Sequence, residues 1–312
     1  MKIAAFLTGL FRDALGASLA LFKVMIPIII LVKLLKEFGL IAPLAAPLGP
    51  VMELVGLPAG LSLVWATAML SSIYSGLVVF QVMLPELGPF TQAQATVLAV
   101  LVLIAHNLLV EGQVTKRCGV SFWGQNLLRA VGALACAWLL NRVLASGGYL
   151  QEPAVMLWNP PSEDGSLVHW AAGEARNLVS IFGIIFALMG LMRVLNALGL
   201  TRLMERLLTP LLKVMGIGPT AATVTVIGMT MGLTYGGGLI IHETRAGHIS
   251  GRDVFASVSL MSLCHALIED TLLMALIGAS AWGTLVARLA FSLVVTAILS
   301  RVAARWWVAA PG

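Results

Sequence analysis

The stretch His265-Ala266-Leu267-Ile268-Glu269-Asp270, followed by Ser280, Trp282-Gly283 and Arg288, decides how this chain is read. The same order stands 159 residues earlier as His106-Asn107-Leu108-Leu109-Val110-Glu111, Ser121, Trp123-Gly124 and Arg129, and Arg142 matches Arg301 at that offset. Toward the N-terminus, Gly39-Leu40, Pro50 and Gly56 recur as Gly199-Leu200, Pro210 and Gly216 at an offset of 160, and Tyr74 and Gly76 recur as Tyr235 and Gly237 at 161. So many matches in one order, through only small changes of offset, mark a tandem duplication. The period is too long for a solenoid repeat, but internally duplicated halves are a common plan for membrane transporters.

Composition agrees. Of 312 residues, 59% are hydrophobic and 11% charged, with a mean hydropathy of +0.98, whereas soluble domains carry about 25% charged residues. This excludes a soluble protein and predicts an integral membrane protein. Lys2 and Arg12 precede the first apolar segment, Lys23 interrupts it and no small-residue cleavage site closes it, so the segment reads as a retained helix, not a signal peptide. Cys118, Cys136 and Cys264 are too few for a disulfide framework and read as buried thiols. The net charge of +5 gathers at the ends of apolar segments, where it reports orientation and not nucleic-acid binding.

Hydropathy places segments at 14–36, 43–55 (amphipathic), 59–83, 92–112 and 122–145 in the first half, and at 177–197, 201–215 (amphipathic), 219–241, 251–276 and 283–304 in the second. Residues 147–175 are polar, rich in Pro and Gly, and carry Glu152, Glu163, Asp164 and Glu174. The predicted organisation is a first repeat at 1–146, an extracytoplasmic linker at 147–175 and a second repeat at 176–312.

In each repeat the third segment is interrupted, at Ser72-Ile73-Tyr74-Ser75-Gly76 and at Thr234-Tyr235-Gly236-Gly237-Gly238. Three consecutive glycines cost a helix about 1 kcal/mol each, which predicts a turn there and a re-entrant helical hairpin. Lys and Arg at the segment ends weigh the alternatives. Without Lys23, Arg129 and Arg288, which lie within or beside the spans, non-crossing hairpins leave only Lys33, Lys36, Arg142 and Arg176 on one side, a split of twelve to four. Crossing hairpins give an even split, so the positive-inside rule favours six spanning helices and two re-entrant hairpins, with both termini in the cytoplasm of a multi-pass cell-membrane protein. Three crossings per repeat put the halves in opposite orientation. The fold class is thus an all-α polytopic membrane protein with two inverted-topology repeats.

Irregular backbone at membrane depth is tolerated only where protein or a water-filled cavity receives it, and ionisable residues within spans default to functional candidates. Candidate substrate- or ion-binding residues are Tyr74, Ser75 and Gly76 at one hairpin tip and Tyr235, Gly236, Gly237 and Gly238 at the other. His106, Asn107, Glu111, His265, Glu269 and Asp270 join them from the following helices, with His242 and Glu243 after the triple glycine. Spacing puts His265 with Glu269, and Asn107 with Glu111, on shared helical faces. Gly228 and Gly232 have small-xxx-small spacing that suits helix packing. Trp123 and Trp282 suit the membrane interface, and Arg129 and Arg288 are expected to snorkel or pair with a carboxylate.

The two broken hairpins and the helices carrying His106 to Glu111 and His265 to Asp270 resemble the nucleoside-recognition, or Gate, domain family. That family includes spore maturation proteins A and B, the pore portion of ferrous-iron permeases and a core part of concentrative nucleoside transporters, and this chain looks like a fusion of the two spore-maturation halves. The resemblance implies that hairpin tips and interrupted helices bind a solute and a coupling cation, and places Gly76, Gly237, Asn107, Glu111, His265 and Glu269 near such a site.

The leading expectation is a secondary carrier for a small polar solute, nucleoside-like by the resemblance, with sodium or a proton as coupling ion and no cofactor. The alternative is a divalent-metal permease or metal-binding membrane protein, with His106, His265 and Glu269 as ligands and His242 and Cys264 as further ligand types. An enzyme is not expected: after His242-Glu243, Ala246 stands where a zinc-protease motif needs its second histidine. Expected partners are the lipid bilayer, a small solute or ion, and further copies of the chain, packed through the amphipathic stretches.

Overall fold

Long runs of Leu, Val, Ile and Ala, with Ser, Thr or Gly at their starts, become helices throughout. The computed structural model describes residues 2–158 and 166–308; the Pro-Pro part of the linker, with Glu163 and Asp164, lies outside them. The first half holds α1 (Lys2–Glu37), α2 (Ile41–Ala45), α3 (Gly49–Leu54), α4 (Leu61–Leu70), α5 (Ile73–Met83), α6 (Gln92–Ile104), α7 (Leu108–Arg117) and α8 (Phe122–Gly147). The second holds α9 (Leu167–Ala197), α10 (Leu200–Val214), α11 (Pro219–Met231), α12 (Leu233–Arg245), α13 (Gly251–Leu263), α14 (Leu267–Ala275) and, after a π-helical turn at Trp282–Ala287, α15 (Arg288–Val308). No strand occurs among the described residues beyond one isolated bridge, Thr91 to Pro153.

Five helices are long and apolar enough to cross a membrane: α1, α8, α9, α13 taken with α14, and the π-turn with α15. α6 and α7, bent by 40° at their break, make a sixth if counted as one span. Apolar side chains also face outward, Val131, Val179 and Ile298 among them, as a hydrocarbon environment favours. The chain is a multi-pass, all-helical membrane protein.

Each short helix pair folds back on itself. A Cβ on Gly76 would lie 2.9 Å from Ala68 Cβ, and Ala68 and Gly76 stand symmetrically about Ser72. A Cβ on Gly236 would lie 2.5 Å from Gly228 Cα, and these stand symmetrically about Gly232. The turns therefore fall at Ser71-Ser72, at the start of the expected Ser72–Gly76 stretch, and at Gly232, just ahead of the expected Thr234–Gly238 stretch. Gly232 has φ 98° and ψ 159°, a conformation open to glycine alone, and Ser72 caps α5 by accepting from the Ser75 amide at 3.1 Å. The triple glycine lies inside α12, where Gly236 allows close approach to α11 and Gly237 packs on Val114 and Cys118 of the first half. Gly228 is thus a packing residue and Gly232 a turn.

α1 and α9 run further than their apolar cores, because Arg12, His169 and Arg176 are exposed on them and the buried Glu174 accepts from Asn177 on the same helix. The linker is correspondingly shorter, and its described part is pinned at both sides. The Ala93 amide donates to Leu150 O at 2.8 Å and the Leu157 amide to Leu276 O at 2.9 Å. The start of α6 and the end of α14 therefore share one end of the molecule. At the other end, Cys118 after α7 donates to Gly237 O at 3.6 Å and lines a cavity of about 650 Å³ together with Gly251 and Val254 at the start of α13. The pair α6–α7 and the pair α13–α14 accordingly run in opposite directions.

Candidate functional site

Neither segment 92–112 nor 251–276 is the straight helix that hydropathy suggests. Each unwinds for three residues, Ala105-His106-Asn107 and Cys264-His265-Ala266, with matching backbone: Ala105 (φ −126°, ψ 73°) and Cys264 (φ −150°, ψ 75°) leave the helical region alike, while Asn107 (φ 48°) and Ala266 (φ 45°) are left-handed. No Gly or Pro announces either break, and this is why sequence reasoning missed them. An alanine in the left-handed region carries strain of about 1–2 kcal/mol. Ala266→Gly is therefore expected to stabilise the protein by up to about 1 kcal/mol, measured as a raised midpoint of thermal unfolding in detergent.

Unwinding frees backbone carbonyls inside the protein, where each must find a donor. Two buried arginines from the following helices supply them. Arg129 Nε donates to Ile104 O at 2.8 Å and its Nη2 to His106 O at 2.8 Å; Arg288 Nη2 donates to His265 O at 3.3 Å. Arg129 is 1% exposed and Arg288 fully buried. Neither snorkels. Arg129 also pairs with Glu111, Nη1 to Oε2, at 2.5 Å, and Glu111 belongs to the first turn of α7, where the helix dipole favours a carboxylate.

The two breaks meet. His106 Nε2 lies 3.3 Å from His265 Nε2, and Glu111 Oε1 lies 3.4 Å from the first and 3.3 Å from the second. Asp270, which corresponds to Glu111 in the repeat, joins from α14: ligand atoms of His106, His265 and Asp270 all lie within 4.8 Å of one another. Each histidine's Nδ1 faces a backbone carbonyl, Val102 O at 3.1 Å and Met261 O at 2.8 Å. A carbonyl only accepts, so each neutral ring carries its hydrogen on Nδ1 and turns a bare Nε2 toward the other. All four side chains are buried.

The halves are not equivalent. Asp270 is one methylene shorter than Glu111, and among the described residues no ion pair joins it to Arg288, whereas Glu111 pairs with Arg129.

Of the other candidates, Asn107 is a backbone element: its amide donates to Ala68 O of α4 at 2.8 Å, docking the first hairpin on the first break. Ser75 is buried in a hydroxyl cluster with Ser71 at 2.9 Å and Ser72 at 3.0 Å. Tyr74 is half-buried and within electrostatic reach of Glu269 and Asp270, and Gly76 is packed on α4. Tyr235 is 52% exposed and Gly238 is exposed, while Gly236 and Gly237 are buried in helix contacts. His242 is exposed and Glu243 pairs with His248 at 2.8 Å, two to three turns past Gly232 and away from the cluster. The shared face expected of His265 with Glu269 does not form, because His265 lies in the break before α14, whereas Asn107 caps α7 and its carbonyl accepts from the Glu111 amide at 3.0 Å. Asp270, not Glu269, stands beside the histidines, and Glu111 faces His106. Cys118, Cys136 and Cys264 are buried and free.

A multi-pass helical membrane protein with paired hairpins and paired broken helices is the class that fold and site define. Residues 178–281, in the second half of the chain, match the family model described as Gate, nucleoside recognition. The chain is similar to an uncharacterized membrane protein, YvoD, of Bacillus subtilis (strain 168), 25% identical over 311 residues that cover 98% of this chain and 97% of the relative. No solved structure matches the chain.

Proposed function

We propose that the protein is a carrier-type transporter of the cell membrane, built from two Gate-like repeats, 1–146 and 176–312, in inverted orientation. Residues 147–175 lie outside and both termini in the cytoplasm. The opposed directions of α6–α7 and α13–α14 support the inversion, and the split of Lys and Arg supports the orientation. The cargo is a small polar solute of the nucleoside class, and the cluster of His106, His265, Glu111 and Asp270 is the cation site to which its movement is coupled. One observation carries this reading: at the contact of two discontinuous helices, one from each half, four ionisable side chains are buried within hydrogen-bonding or electrostatic reach. Burying such groups is costly and is characteristic of ion pathways. The N-terminal ends of α7 and α14 open on the same point and add backbone donors and partial positive charge.

Uptake of labelled nucleosides into proteoliposomes tests it. Asp270→Asn removes charge at nearly constant shape and is expected to lower uptake by about tenfold or more, with the protein still monodisperse. Unchanged uptake in Asp270→Asn combined with Glu111→Gln sinks the assignment.

A further inference from the structure

The three shortest distances in the cluster form a triangle. His106 Nε2, His265 Nε2 and Glu111 Oε1 are separated by 3.3, 3.4 and 3.3 Å. With both rings neutral, their Nε2 lone pairs face each other at 3.3 Å and repel unless a proton or a metal ion stands between them. A tetrahedral metal ion bound at about 2.1 Å by nitrogen and oxygen holds its ligands about 3.4 Å apart. We infer that this triangle is a three-ligand face for a first-row divalent transition-metal ion, with Asp270 on the remaining side.

The surroundings are those of a ligand set. Each histidine donates Nδ1–H to a carbonyl, Val102 O or Met261 O, the contact that fixes the tautomer and aims Nε2 at a metal. Glu111 is held through its other oxygen by Arg129, which leaves Oε1 free to coordinate. Asp270 brings a second carboxylate within reach and has one oxygen without a hydrogen-bond partner. Two imidazoles with carboxylate oxygen suit zinc, iron, cobalt or manganese, whereas magnesium and calcium call for all-oxygen shells. Ligands drawn from both halves also make the ion a clamp between the two broken helices. In the sequence the two histidines are legible as a matched pair 159 residues apart; that Glu111 and Asp270, and not Glu269, join them is decided only by the fold.

The inference rests on the cluster being the cation site proposed above, and binding is measured apart from transport so that the two fail separately. Chelator-stripped protein in detergent is titrated with Zn2+, Co2+ and Mg2+. The expected result is one Zn2+ per chain with a raised unfolding midpoint, visible d–d bands of tetrahedral Co2+, and no response to Mg2+. His106→Asn and His265→Asn are each expected to abolish the bands while the metal-free midpoint moves little. Should either fail to fold, His265→Cys keeps a ligand and is expected to add a thiolate-to-cobalt charge-transfer band. No bound metal, Zn2+ retained by the double asparagine variant, or a wild-type Co2+ spectrum of octahedral type overturns the site. Binding of metal with nucleoside uptake unchanged by its removal keeps the site and overturns only its coupling role.

Discussion

Replacing Arg129 by methionine is expected to destabilise the protein by about 3–5 kcal/mol, the cost of leaving a buried charge without its partner. The guanidinium does three things at once. It neutralises Glu111 and donates to Ile104 O and His106 O, two carbonyls that the break at Ala105 to Asn107 takes out of the helix. With the arginine gone, a carboxylate and two carbonyls remain buried beside two histidines. Lysine is a poor substitute, because its single ammonium cannot reproduce the planar fork. The control is Arg288→Met, expected to cost only about 1–2 kcal/mol: it removes a hydrogen bond to His265 O and a contact with Cys264, but breaks no carboxylate ion pair among the described residues. Thermal unfolding of the three variants in detergent, without added metal, checks the order. Equal losses at the two arginines would contradict the asymmetry between the halves.

The second large effect is expected at the triple glycine. Gly236→Val is expected to cost about 3 kcal/mol, because even its Cβ would lie 2.5 Å from Gly228 Cα and 2.7 Å from Met261 Sδ. Backbone on one side leaves the substituted hairpin no route but to splay, and α13, which carries Met261 and leads to His265, moves with it. Two residues on, Gly238→Ala meets nothing within 4 Å and gains helix propensity, so it is expected to stabilise by about 0.5–1 kcal/mol. If all glycines of the run were turn residues, both substitutions would be harmful. Opposite signs, read as unfolding midpoints, identify α12 as a packed helix.

Hydropathy and internal matches place nearly every helix, since both are properties of the chain taken in order: α8 begins at the expected 122, and the π-helical turn that leads into α15 begins at Trp282, one residue before the expected 283. They misplace what depends on backbone detail. A hydropathy window passes smoothly over Ala105 to Asn107 and over Cys264 to Ala266, and no Gly or Pro marks either break, so i,i+4 spacing pairs His265 with Glu269 where no continuous helix exists. The triple glycine misled in the other direction. Three glycines look like a turn to a propensity scale, while what Gly236 supplies is the absence of a Cβ against a neighbouring backbone.

Membrane character, the duplication and the list of intramembrane His and carboxylate residues are determined by the sequence alone, because composition and order suffice for them. Only the tertiary structure decides that His106, His265, Glu111 and Asp270 converge, that the two arginines serve the breaks, and that Glu111 reaches Arg129 while no ion pair joins Asp270 to Arg288 among the described residues. Convergence is set by how helices distant in sequence cross. The asymmetry turns on one methylene, which the matched positions of Glu111 and Asp270 conceal until both are set against their arginines at bonding distance.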